Sequence, residues 1–173
     1  MASFERIGAA ILHRVADWSF AVPYAWGRVS AEQLSRMFAN LVVAGSPSGT
    51  LIQLHGLRGA FFSFDPVVVT ACNEKEATIE IDYEMRDIPE AAACYQAMGF
   101  YEGIVGLAGG KQAKASFSKR RWEGHDKSVL NVTWEGERAR SDSESTIEEG
   151  ALVLVGTDDG NGRESRRYRI TRQ

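Results

Sequence analysis

The 173-residue chain is 44% apolar and 25% charged and carries a formal net charge of −3. A chain of this size and apolar content suits one domain with its own hydrophobic core, which excludes disorder over the whole length. The slight acidity argues against a general nucleic-acid binder, which needs excess Lys and Arg to displace phosphate counterions.

At the start of the chain, Phe4, Ile7, Ile11, Val15 and Trp18 recur at helical spacing. They predict a helix over the first twenty residues, with Ser3 as its cap and Pro23 at or just beyond its end. Ser30, followed three residues later by Gln33, has the form of a capping box. It predicts a second helix with an apolar stripe of Leu34, Met37, Phe38, Leu41 and Val42, stopped by Gly45 and Pro47. Residues 49–64 are ambiguous. Leu51, Ile52 and Leu54 fit a strand or a helical turn, while Gly49, Gly56 and Gly59 argue against one long helix.

Val67 to Cys72 is apolar and β-branched, Asn73 to Glu76 reads as a turn, and Thr78 to Glu84 alternates with Ile79, Ile81 and Tyr83 on one face. The pair predicts a hairpin. Asp87 as N-cap and Pro89 in the first turn open a helix over 88–108, which Gly109-Gly110 closes. Strands follow near Lys111–Ser118 and Val129–Trp134, joined by a charged loop from Lys119 to Lys127. We divide the chain into a core domain over 1–136, a polar flexible connection over 137–149 and a terminal hairpin over 150–173. The hairpin strands are Ala151–Val155 and Ser165–Thr171, turning at Asp158 to Gly162. The fold class is α+β, with helices packed on one face of a mostly antiparallel sheet.

Few residues point to chemistry. His13, His55 and His125 have no second ligand at metal-binding spacing, so each reads as solvated or structurally satisfied, with a haem or zinc ligand as the alternative. Cys94 has no basic neighbour to make a thiolate, and it and Cys72 read as free, buried thiols. Glu80, Asp82 and Glu84 share a strand face, where solvation explains them better than acid–base or cation-binding roles. The basic runs Lys119-Arg120-Arg121 and Arg163 to Arg172 lie near acids that would neutralise them locally, the alternative being a surface for nucleic acid or an acidic partner. No nucleophile–base arrangement, metal site or cofactor is legible, and the expectation leans against an enzyme. The opening residues do not have the form of a secretory leader and no apolar run reaches membrane-span length, so we expect a cytoplasmic protein without a membrane partner.

The helix over 88–108 is the most informative element. Gly99, Gly103 and Gly106 each cost about 1 kcal/mol relative to Ala inside a helix. Such a cost implies a neighbour that needs close approach: a packed element of the same chain, a ligand in an apolar pocket, or a dimer seam.

The run from Tyr95 to Gly110, in which Gly99-Phe100 and Gly103 precede a short loop and two strands, resembles the late helix of the 4-vinyl-reductase domain and of related uncharacterised myxobacterial domains. The likeness extends over residues 65–136 through the strand at Lys111 to Ser118, Gly124 in the charged loop, and the closing strand Val129 to Trp134. It implies an α+β fold shared with haem nitric-oxide sensors and vesicle-tethering subunits, whose members bind small apolar molecules, haem or acyl chains, or act as dimerising scaffolds. Two cysteines common in such domains are replaced here by Trp122 and Ser128, so the resemblance carries no metal site across, and the haem sensors' helix histidine and Tyr-Ser-Arg signature have no counterpart. The expectation is a non-enzymatic sensing or regulatory interaction domain that self-associates and holds a small apolar ligand between the 88–108 helix and the sheet. Tyr95, Met98, Gly99, Tyr101, Gly103 and Trp134 would line that site. The alternatives are a ligand-free structural adaptor and a small enzyme.

Overall fold

The computed structural model describes residues 9–136 other than 11, 15, 39, 62–65 and 86, together with the backbone of 145–148 and 151–154; of residues 58–61 only the backbone is described. In chain order the elements are α1 (Ala21–Met37), α2 (Pro47–Phe61), β1 (Val67–Cys72), β2 (Glu76–Ile81), α3 (Asp87–Leu107), β3 (Lys111–Lys119), a single 3₁₀ turn (Arg121–Glu123), β4 (Ser128–Glu135), β5 (Ser145–Glu148) and β6 (Ala151–Leu154). The strands form one sheet in the order β3-β4-β2-β1-β5-β6, every neighbouring pair antiparallel. The helices pack on one face of this sheet, as the α+β expectation requires.

The alternation in β2 and β4 is what builds the core. Ala77, Ile79 and Ile81 on β2 and Ser128, Leu130, Val132 and Trp134 on β4 point inward and are buried. All of these but Ser128 meet Cys94, Ala97, Tyr101, Ile104 and Val105 from α3 in a single apolar cluster. The opposite face is polar, with Thr78 donating its hydroxyl to Asn131 across the β2–β4 pair. Asn73 fixes the β1–β2 turn, its Oδ1 accepting the backbone N–H groups of Lys75 and Glu76, both at 2.9 Å.

Helix α3 stops where the glycines put the stop. Gly109 takes a positive φ of 97°, Gly110 N–H donates to Val105 O at 2.9 Å and Gly109 N–H to Gly106 O at 3.0 Å. These are the two bonds of a Schellman cap. The connection between α1 and α2 wraps this end, Gly45 N–H donating to the Ala108 carbonyl at 2.9 Å.

The N-terminal half departs from expectation. Residues 12–14 and 16 are helical, with Leu12 and Ala16 buried; Phe4, Ile7, Ile11 and Val15 lie outside the described residues. Pro23 does not end a helix but sits in the first turn of α1, where its missing N–H has no partner to lose. Ser30 is no cap: it lies mid-helix and its hydroxyl donates back to the Trp26 carbonyl at 2.9 Å. The helix ends at Met37, so Leu41 and Val42 reach the core from the following loop, whereas Met37 and Phe38 are exposed. Pro47 likewise opens a helix, with Ser46 Oγ accepting the Gly49 N–H at 3.2 Å. Residues 47–61 are one helix despite Gly49, Gly56 and Gly59.

Part of the segment expected as a flexible connection is ordered backbone. Ser145–Glu148 is β5, which pairs with β1 through Ala71 and Cys72 and forms a hairpin with β6. Thr146 and Ile147 are β-branched and favour strand. The expected strand over Ser165–Thr171 lies outside the described residues.

Candidate functional site

Helix α3 is held by a different neighbour on each side, and its glycines mark one of them. A Cβ on Gly99 would lie 2.0 Å from the Tyr24 carbonyl oxygen, and one on Gly103 would lie 3.2 Å from Ala31 Cβ and 3.4 Å from Arg28 Cα. Reciprocally, a Cβ on Gly27 would lie 1.9 Å from the Gln96 carbonyl oxygen. Helices α1 and α3 therefore run parallel and touch backbone to backbone, Gly27-x-x-x-Ala31 against Gly99-x-x-x-Gly103. The close neighbour that the glycines imply is a helix of the same chain. Gly106 departs from the pattern: a Cβ there meets nothing within 4 Å.

One carboxylate locks this seam to the sheet. Glu102 on α3 accepts from the Tyr24 hydroxyl, from Arg28 Nη1 at 2.8 Å and, through its other oxygen, from the Ala115 backbone N–H at 3.1 Å. Ala115 lies on the edge strand β3, so Glu102 also occupies a donor that would otherwise invite strand addition. Burial, helped by the bond to Glu102, pushes the Tyr24 phenol above its ordinary range.

The six residues expected to line one ligand site stand in three surroundings. Tyr101 and Trp134 are buried in the core between α3 and the sheet, and Met98 is partly buried against that core. Gly99 and Gly103 face α1; Gly103 stands two residues from Tyr101, about 200° around the helix. Tyr95 belongs to a half-buried aromatic cluster, stacked on Phe20 at 4.8 Å and meeting Phe117 and Trp122 at 5.8 and 6.2 Å between ring centroids. Trp134 is 4% exposed, and its indole Nε1–H has no hydrogen-bond acceptor among the described residues.

Two features were not read from the sequence. The first is a stripe on the outer side of α1, turned away from the Gly27–Ala31 side. It runs Val22, Trp26, Val29, Gln33, Met37, with Trp26 52%, Val29 48% and Met37 74% exposed. The spacing is visible in the sequence, but the mistaken helix boundary at Ser30 cut the stripe in two. The second is a buried polar cluster where β2 leads into α3. Glu90 is 0% exposed; its carboxyl accepts the Met85 N–H at 3.3 Å and lies 3.8 Å from the Cys94 thiol. Ser128, also buried, interacts with Cys94 and accepts the Arg121 N–H at 3.0 Å. Burial raises the Glu90 carboxyl above the ordinary carboxylate range, against the opposing pull of Arg121 and the backbone donors of Met85 and Tyr83. Burial also pushes the Cys94 thiol up to about 12, so it is a neutral donor here.

The remaining candidates take structural roles. His55 Nδ1 accepts the Val69 N–H at 3.4 Å, which fastens α2 to β1. Glu80 pairs with Lys127 at 2.9 Å, Asp82 pairs with Arg121, and Glu84 lies in the turn that follows, so these acids do not converge. Arg120 pairs with Glu123 at 2.8 Å, which leaves the Lys119-Arg120-Arg121 run largely neutralised. Both cysteines are free and buried. Among the described residues, no three His, Cys, Asp or Glu side chains gather in a metal-binding group, and no helix is long and apolar enough to cross a membrane. The chain matches no family model and no curated protein.

Proposed function

We propose that this chain is a non-enzymatic protein-interaction domain that pairs with a second copy of itself through the outer side of α1. The exposed Trp26, Val29 and Met37 carry this reading. Scattered exposed apolar residues need no explanation, but three aligned along one helix at spacings of three, four and four through Gln33 form a docking stripe. A two-fold pairing is the commonest closed assembly, and it brings the same patch of each copy together. With the axis near the middle of α1, Trp26 of one copy meets Met37 of the other, a favourable sulfur–aromatic contact. The 17-residue helix, roughly 25 Å long, gives the pair its length. The two free, buried thiols accord with a cytoplasmic setting.

Light scattering coupled to size exclusion tests this reading. The wild type gives twice the chain mass at tens of micromolar, and Trp26→Glu gives the chain mass with an unchanged circular dichroism spectrum. A wild-type monomer at that concentration refutes it.

A second reading, ligand sensing, draws support from the unpaired Trp134 indole N–H and from the 4-vinyl-reductase resemblance. A small apolar molecule bearing one acceptor oxygen would satisfy that donor and bias the association. Native mass spectrometry of the purified protein shows a co-purifying mass if so; its absence, with the dimer intact, leaves the scaffold reading alone.

A further inference from the structure

We propose that, in the α1 pairing on which this inference rests, Glu32 and Arg36 set the direction of the two helices by exchanging ion pairs between the copies. Successive residues of a helix turn by about 100°, which places Arg36 about 60° and Glu32 about 100° to one side of the centre of the outer stripe. Ser30 and Pro23 lie about 60° and 80° to the other side. The two rims of the stripe therefore differ. One carries a cation and an anion, with Arg36 Nη2 3.7 Å from Glu32 Oε2 and the two side chains 78% and 55% exposed. The other rim is uncharged, and its Ser30 hydroxyl already donates to the Trp26 carbonyl at 2.9 Å. Arg28, two turns before Arg36, is engaged by Glu102.

Two-fold symmetry turns this difference into a choice of direction. An axis perpendicular to α1 runs the two helices antiparallel and sets like rims together. An axis along α1 runs them parallel and sets the charged rim of each copy on the uncharged rim of the other. Apolar contact alone does not decide, because Trp26 stacks on Trp26 in the parallel pair as readily as it meets Met37 in the antiparallel one. The charges do decide. In the parallel pair Glu32 and Arg36 face Ser30 and Pro23, with no opposite charge across the seam. In the antiparallel pair both Glu32 carboxylates flank the axis, and the long Arg36 side chain of each copy reaches toward the Glu32 of the other. Each carboxylate then lies between two guanidinium groups, and four charges alternate along one rim, as flanking charges do when they orient paired helices. An exposed ion pair is worth little singly, but symmetry doubles every term.

Analytical ultracentrifugation of the full chain, with the dimer dissociation constant measured at about 50 and about 500 mM NaCl, tests this. In the wild type the constant rises several-fold with salt, because screening weakens the attraction between the copies. Arg36→Glu puts four carboxylates on the charged rim. It raises the constant about tenfold at low salt, and added salt then lowers it, the reverse of the wild type. The double variant Glu32→Arg, Arg36→Glu exchanges the charges. It restores the constant to within about threefold of the wild type, together with the original sign of the salt effect. Both side chains are exposed, so the circular dichroism spectra of the variants match the wild type. A wild-type dimer indifferent to salt, wild-type affinity in Arg36→Glu, or a double variant no tighter than the single one overturns the proposal and leaves the α1 pairing standing. A wild-type monomer removes both.

Discussion

Gly99 and Gly106 stand seven residues apart on one helix, in opposite surroundings. A Cβ on Gly99 would drive into the Tyr24 carbonyl, whereas one on Gly106 would stand in open space. Gly106→Ala therefore stabilises the protein by about 1 kcal/mol, since it removes unfolded-state freedom without a clash. Gly99→Ala forces α1 and α3 apart and costs about 1–3 kcal/mol or more. Urea denaturation of the two variants checks both signs, and equal effects would show that helix propensity alone governs these sites. Glu102 is the other residue with several dependants. Glu102→Ala leaves the buried side of the Ala115 N–H without an acceptor and frees Tyr24 and Arg28. It lowers stability by about 1–3 kcal/mol, measurable in the same titration. At Cys72 and Cys94, burial pushes both thiols up to about 12. A thiol reagent at pH 8 modifies neither in the native protein within minutes, and modifies both once denaturant unfolds it; fast native labelling would contradict their burial.

Among the elements, those whose pattern and boundaries agree were legible. The limits expected for β1 coincide with Val67–Cys72, and α3 was expected over 88–108 and runs Asp87–Leu107. In both, periodicity and punctuation point the same way: β-branched residues ahead of an Asx turn, and an apolar helix ended by Gly109-Gly110. In the N-terminal half they conflict. Proline opens a helix as readily as it follows one, and Pro23 and Pro47 were both read as stops when each begins a helix. Ser30-x-x-Gln33 imitates a cap, and nothing local distinguishes it from a serine bonded back to its own helix. The glycine-rich α2 shows how packing overrides propensity: Leu51 and Thr50 are buried and His55 is tied to β1, which outweighs the cost of Gly49 and Gly56. Ser46→Ala, which removes the oxygen that accepts the Gly49 N–H, destabilises the protein by about 1 kcal/mol. An unchanged unfolding midpoint would mean that water caps α2 equally well.

The candidate site was legible only as a demand for a partner. Glycines in a helix announce close approach, but sequence does not name what approaches, and here it is α1. Glu90 gave no signal because a glutamate in a first helical turn is usual on dipole grounds alone; its burial comes from strands distant in sequence.

For the whole molecule, α1 lies on the protein as a second layer, one side pressed on α3 through glycine and the other side bearing Trp26, Val29 and Met37. A helix so tightly held below and so apolar above suits the docking of a second copy, as proposed for its outer side. Hydroxyl-radical footprinting across a concentration series examines that side residue by residue. If a second copy docks there, oxidation of Trp26 and Met37 falls together as concentration rises from sub-micromolar to hundreds of micromolar, while Trp18 and Leu107, exposed elsewhere, keep a constant rate. Constant rates at Trp26 and Met37, or protection at Trp18 in their place, would contradict it.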